Sequence, residues 1–146
     1  MSHDLYFELL RNRRRPPLMW INRGASPANF TTLSSSYKGK YVLGSVSTGN
    51  LYLSSDYGVT WSAVNFSAAW RCCAVSGTGQ YMVAVSNTVG VGLYFSNDYG
   101  ASWTQKSTGN FQGCAISNNG KHIIAARDAN KLLISDDRGV TWVSIE

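Results

Sequence analysis

The chain has 146 residues, of which 44% are hydrophobic and 14% charged, and its formal net charge is +5. The length fits one domain of ordinary size. Its one apolar segment near the N terminus is far shorter than the ~20 residues of a transmembrane helix, so we expect no membrane span.

The first predicted element is a basic N-terminal arm over residues 1–17. Residues 1–23 carry five arginines against two acids, a net charge of +3. Arginine-rich segments of this kind dock on acidic protein surfaces, nucleic acid or anionic lipid, and a solvated leader is the alternative. The apolar part precedes the charge, so no signal peptide is evident. The candidate docking residues are Arg11, Arg13, Arg14 and Arg15.

Residues 18–146 are dominated by an eight-residue box, Ser-x-Asp-x-Gly-x-Thr/Ser-Trp, which occurs three times. The three aspartates lie 42 and 39 residues apart, and a period near 40 is typical of solenoids, propellers and arrays. The residues that define the boxes are Ser54, Asp56, Gly58 and Trp61, then Ser96, Asp98, Gly100 and Trp103, then Ser135, Asp137, Gly139 and Trp142.

Each repeat contains more than its box, and the repeats span about 30–69, 70–110 and 111–146. Upstream of every box lie a turn-rich glycine stretch, an apolar run and an apolar triplet. Gly, Asn, Ser and Asp separate these runs, which predicts four short strands, the fourth starting at the box tryptophan. Four antiparallel strands in about 40 residues indicate one propeller blade. We therefore predict an all-β propeller with three blades per chain.

Three blades are fewer than the four to eight that usually close a propeller ring. An open arc would expose sheet faces, so we predict a ring completed by homo-oligomerisation, with a six-blade dimer favoured over a higher-order array. Residues Leu18–Ile21 match the outer strand of a preceding blade. Either this strand pairs with another chain, or the sequence descends from a longer propeller.

The boxes resemble the Asp-box, or BNR, repeat of sialidases, sortilin-type receptors, photosystem assembly factors and many viral and phage proteins. The resemblance covers residues 30–146. It implies that each box lies on the hairpin between the third and fourth strands, at the blade periphery, and that Asp56, Asp98 and Asp137 are not catalytic. The residue types agree, because Asp accepts backbone N–H groups in tight turns and Gly supplies a positive φ.

Catalytic residues are not evident. The family's sialidases use an arginine cluster, a tyrosine with a glutamate partner and an aspartic acid, whereas the sole glutamate of this repeat region is Glu146. Glycoside hydrolysis usually needs two facing carboxylates. We therefore predict that the protein is not an enzyme, and we expect no cofactor.

A metal site is not expected either. Cys72, Cys73 and Cys114 form no CxxC pair, and neighbouring Cys72 and Cys73 point to opposite strand faces. Cys73 and Cys114 align with Leu33 of the first repeat. This alignment predicts small buried hydrophobic residues rather than ligands.

We predict a non-enzymatic structural or attachment protein of a larger assembly. The box style resembles phage and giant-virus members, which favours a virion component over a cytoplasmic protein. Its partners would be further copies and other proteins of the assembly, and nucleic-acid contact by the arm stays open. The alternative is a multivalent carbohydrate-binding module that uses rim tyrosines such as Tyr57 and Tyr99. A sialidase-like hydrolase fragment comes third.

Overall fold

The structure is a computed structural model that describes residues 27–129 and 131–145. The basic arm with its four candidate arginines and the predicted strand Leu18–Ile21 lie outside the described residues. The predicted domain boundary between residues 17 and 18 therefore stays a prediction.

The described residues form strands and no helix. In chain order, the strands are β1 (Phe30–Ser35), β2 (Val42–Val46), β3 (Gly49–Ser54), β4 (Ser62–Ala68), β5 (Trp70–Val75), β6 (Met82–Ser86), β7 (Leu93–Ser96), β8 (Thr104–Ser107), β9 (Phe111–Ile116), β10 (Ile123–Arg127), β11 (Leu132–Ser135) and β12 (Val143–Ile145). No described helix is long and apolar enough to cross a bilayer.

The strands form three four-stranded sheets in which every strand pairs antiparallel with its chain neighbours. We call β1–β4 blade 1, β5–β8 blade 2 and β9–β12 blade 3. Each box lies on the hairpin between the third and fourth strands of its blade. The fourth strands begin one residue after the box tryptophan, whose indole N–H bonds the turn: Trp61 Nε1 donates to the carbonyl of Gly58 at 3.2 Å.

Successive blades pack face to face. We call the face of a blade that points toward the next blade its forward face, and the opposite one its rear face. The forward face of blade 1 and the rear face of blade 2 enclose one core, which includes Leu43, Leu51, Trp70 and Met82. The forward face of blade 2 and the rear face of blade 3 enclose a second core around Val83 and Phe111. Strand β6 is therefore apolar on both faces and lies between the two cores, with Val83 on one side and Met82 on the other.

Two faces at the ends of this array are not covered by any described residue. They are the rear face of blade 1 and the forward face of blade 3. On blade 3, Ile124 and Val143 belong to the forward face and are exposed, whereas Ile123 belongs to the rear face and is buried in the core with blade 2. Alternation along the strand places these neighbouring residues on opposite sides of the sheet.

Candidate functional site

The box residues that carry the repeat form one closed hydrogen-bond network in each blade. In the first box, the Ser54 hydroxyl donates to Asp56 Oδ1 at 2.8 Å and accepts the backbone N–H of Gly58 at 2.8 Å. The Asp56 carboxylate accepts the backbone N–H of Thr60 at 2.8 Å and the Thr60 hydroxyl at 2.6 Å. The second and third boxes repeat this pattern with the following residues: Ser96, Asp98, Gly100, Ser102, Ser135, Asp137, Gly139 and Thr141.

The turn itself requires two successive residues in the left-handed region. Tyr57 has φ 65° and Gly58 φ 80°, and the equivalent residues of the other boxes have the same signs. A non-glycine residue with positive φ is strained. The hydrogen bonds from Ser54 and to Asp56 are what hold the strained pair in place.

These bonds also control the charge of the box aspartates. The Thr60 hydroxyl and backbone N–H lower the pKa of Asp56 to about 2, and Thr141 does the same to the pKa of Asp137, also about 2. At Asp98 desolvation opposes the shift, but the bonds from Ser102 and Ser96 together still lower the pKa. All three side chains are therefore ionised acceptors committed to the turn, which makes them poor proton donors.

The other two described carboxylates pair with bases at the surface. His122 Nδ1 lies 2.8 Å from Asp136 Oδ1, and Arg127 Nε lies 3.5 Å from Asp128 Oδ1. Within residues 27–129 and 131–145, no group of three or more His, Cys, Asp or Glu side chains is placed to hold a metal ion.

The three cysteines lie on the inner strands β5 and β9. Of the two that align with Leu33, Cys73 is buried as predicted and Cys114 is half-buried. Cys73 is buried and its Sγ approaches the carbonyl of Leu43 at 3.3 Å, and this burial raises its pKa to about 11. Cys72 points the other way, toward blade 3, where its Sγ lies 3.5 Å from the carbonyl of Cys114. Hydrogen bonding from Cys114 lowers the pKa of Cys72 to about 6. The thiols thus belong to the two blade interfaces.

The forward face of blade 3 is an open surface with exposed apolar side chains. Cross-strand partners on a sheet share a face, so the pairs Ile124–Ile134 and Ile134–Val143 identify its members. All eight side chains or glycine positions on this face are uncharged and apolar: Gly113, Ala115, Ile124, Ala126, Leu132, Ile134, Val143 and Ile145. Contiguous exposed apolar surface on a folded chain marks an interaction site.

The rear face of blade 1 is the second open surface. Its register places Leu33 beside Gly44, and Gly44 beside Tyr52. Phe30 lies over Gly44 and against the box tryptophan Trp61, with ring centroids 4.9 Å apart. Leu33 is 57% exposed, whereas its counterpart Cys73 in blade 2 is 5% exposed.

The three-blade count predicted exposed sheet faces at the ends of the array, but the residues on those faces were not predicted. The available signal was the run Ile123–Ala126 in β10, which is apolar at every position. A strand with one solvated face alternates apolar and polar residues, so this run indicates a strand built for burial on both sides. The prediction that Tyr57 and Tyr99 are exposed is confirmed.

No model of a protein family matches this sequence, and no curated protein matches it. Solved structures do. YCF48 bound to D1 peptide aligns over 80% of this chain and 39% of its own, with 15% identity and a TM-score of 0.62. The GH74 enzyme of Niastella koreensis aligns over 77% and 17%, with 21% identity and a TM-score of 0.60. The Cps50 (Swd1) β-propeller domain of Myceliophteria thermophila aligns over 83% and 39%, with 13% identity and a TM-score of 0.63.

The fold is that of a β-propeller. The chain spans at most about two fifths of the length of these similar structures. At such identities the likeness establishes the fold and says nothing about activity, because function depends on the site that each propeller carries.

Proposed function

We propose that the chain is a non-enzymatic structural subunit of a larger assembly, built on Asp-box repeats. The observation that carries the proposal is the pair of open end faces, one of them entirely apolar across four strands. Such surface is unfavourable in water and is stabilised by a bound partner.

The state of the acidic side chains supports a non-enzymatic role. The three box carboxylates are ionised and saturated with turn donors, and the remaining two described aspartates pair with His122 and Arg127. A glycosidase needs one carboxyl group kept protonated near neutral pH and a second one opposite. One similar structure, YCF48, is bound to a peptide, which is a binding use of the same fold.

More specifically, we propose that the assembly is a virion and that the chain docks on it through its basic arm. In the sequence, Arg11, Arg13, Arg14 and Arg15 fall within five consecutive residues of a chain whose repeats are nearly neutral. Clustered arginines favour acidic partner surfaces.

The experiment is mass spectrometry of gradient-purified particles from the protein's source, after nuclease treatment and a salt wash. We expect the full chain to remain with the particles. Changing the four arm arginines to alanine should remove it, whereas a charge-matched control should not; that control changes Lys38, Lys40, Lys106 and Lys121.

Recovery of the chain only in the free fraction would contradict the structural role. Strong binding to an immobilised glycan array would favour the carbohydrate-binding module instead, with Tyr57 and Tyr99 as its contacts. Turnover of a fluorogenic sialoside would contradict the non-enzymatic role directly.

A further inference from the structure

We infer that a second copy of this chain covers both open faces, so that the forward face of blade 3 packs head-to-tail on the rear face of blade 1 of its partner, in both directions. Two copies then close a ring of six blades. The inference rests on the proposed function, because it names the first partner of the assembly subunit.

The blade interfaces within the chain provide the template, and four contacts recur in both of them. The first is a backbone bond between the turns that follow the innermost strands. Tyr37 N–H donates to the carbonyl of Gly77 at 2.8 Å, and Gly77 N–H donates to the carbonyl of Asn118 at 2.8 Å. The next step of this series would run from Asn118 N–H to the carbonyl of Tyr37 in a second copy. Neither group has a partner among the described residues.

The second contact places a ring against a turn glycine of the next blade. Tyr41 covers Gly79, and Tyr81 covers Gly120, so closely that no Cβ would fit at either glycine. The residue of blade 3 at this position is His122, and the glycine of blade 1 is Gly39. No described atom lies within 4 Å of a Cβ built on Gly39, so the space that a ring would occupy is open.

The third contact involves the box glycines. Leu53 lies 2.6 Å from a Cβ built on Gly100, and Phe95 lies 2.7 Å from one built on Gly139. At Gly58, in blade 1, the only described atom within 4 Å belongs to Trp61 of the same box. The residue that follows Leu53 and Phe95 in the series is Ile134, on the forward face of blade 3.

The fourth contact is between an inner strand and the second strand of the preceding blade. Cys73 Sγ lies 3.3 Å from the carbonyl of Leu43, and Cys114 Sγ lies 4.0 Å from the carbonyl of Val83. The next pair in this series is Leu33 with Ile124. Leu43 and Val83 are 0% exposed within the chain, whereas Ile124 is 39% exposed.

Each of the four contacts therefore lacks a third instance within one chain. One of its two partners lies on blade 3 and the other on blade 1, at opposite ends of the array. The strand residues of both faces are uncharged, and the His122–Asp136 pair lies next to the forward face, before β10 and after β11. An interface in which different patches of identical chains meet is heterologous, and it closes only if the rotation returns to the start. Six blades lie within the range of closed propellers, whereas nine, from three copies, lie outside it.

The first measurement is the mass of the full chain in solution by light scattering or sedimentation. We expect twice the 16.0 kDa of one chain. A mass of one chain at every concentration overturns the proposal, whether residues 1–26 or another protein cover the faces. A mass of three or more copies overturns the two-copy ring.

The interface is tested by Ile124→Glu and Leu33→Lys, with Val89→Glu as the control at the most exposed described valine, 89% exposed and on the β6–β7 loop. Each interface variant should dimerise roughly a hundredfold more weakly or worse, since it would bury an unpaired charge. Val89→Glu should remain a dimer. Circular dichroism checks that the monomers keep their β-sheet spectrum.

Mixing the two interface variants gives the decisive result. In a head-to-tail ring, a mixed dimer has one unaltered interface and one in which glutamate faces lysine, so dimers should return on mixing. Failure to return, or persistence of the dimer in both single variants, overturns the proposal.

A measurement on the unmodified chain covers the case in which a variant does not fold. The amide proton of Asn118 should be protected from hydrogen exchange in the dimer and lose this protection on dilution. Rapid exchange of this proton at high concentration overturns the proposal.

The two proposals fail separately. A chain that is monomeric in isolation but present in purified particles retains the proposed function and loses the self-association. A stable dimer that is absent from particles retains the self-association and loses the proposed function.

Discussion

At the scale of residues, each box contains a buried serine whose hydroxyl belongs to the hydrogen-bond network. The Ser54 side chain is 1% exposed and links Asp56 to the backbone N–H of Gly58, whereas the next residue, Ser55, is exposed and has no hydrogen bond among the described residues. The two serines are therefore a matched pair for testing the network.

Ser54→Ala should lower the free energy of unfolding by about 1–3 kcal/mol, because it leaves the backbone N–H of Gly58 without a partner and removes one of the donors to Asp56 Oδ1. Ser55→Ala should change it by less than about 0.5 kcal/mol. Urea unfolding of both variants measures the difference. Equal effects would contradict the structural role of the network.

The box aspartates predict how stability depends on pH. Their pKa values fall from 3.8 to about 2 in Asp56 and Asp137 on folding, so the folded state binds fewer protons than the unfolded one. This contribution is complete above the unfolded value and is lost as the pH falls toward the folded value. The urea midpoint should be constant between about pH 7 and 5 and should fall between about pH 4 and 2.

The matched control for this pH dependence is the double variant Asp56→Asn, Asp137→Asn. It should be less stable at neutral pH and should show a shallower acid limb, because the titrating groups are gone. An acid limb as steep as that of the unmodified chain would show that other groups dominate.

At the scale of elements, blade 2 depends on both of its neighbours because its second strand, β6, is apolar on both sides and packs into both cores. Val83 on β6 is fully buried between blades 2 and 3, whereas Val89 on the following loop is exposed. Val83→Ala should lower the free energy of unfolding by about 1–3 kcal/mol, through lost burial and a residual cavity. Val89→Ala should have almost no effect, and thermal unfolding compares the two.

The repeat also explains why the strands were predictable and why their first and last residues were less so. Gly and Asn turns and apolar runs identified four strands in each repeat, and the described residues contain those strands and no helix. The fourth strand begins one residue later than predicted, at Ser62 in blade 1, and the Trp61 side chain bonds back to the carbonyl of Gly58 in the turn.

At the scale of the whole molecule, closure between copies couples folding to association. If two chains complete one ring, the folded state is favoured by mass action, and the melting temperature should rise with protein concentration. Scanning calorimetry over a hundredfold range of concentration measures this. The Ile124→Glu variant is the control and should melt at one temperature throughout; a concentration-independent value for the unmodified chain would contradict closure between copies.

The sequence alone determined the local structure of this protein, because a box of Ser, Asp, Gly and Trp satisfies its own backbone and repeats every 40 residues or so. It also indicated that the aspartates belong to turns, since hydrogen bonds between residues two to four apart depend only on local geometry. Which apolar residues face a neighbouring blade and which face solvent was decided by the tertiary structure. Ile123 and Ile124 are identical in chemistry and adjacent in the chain, and only the packing of blade 3 on blade 2 buries the first and leaves the second open.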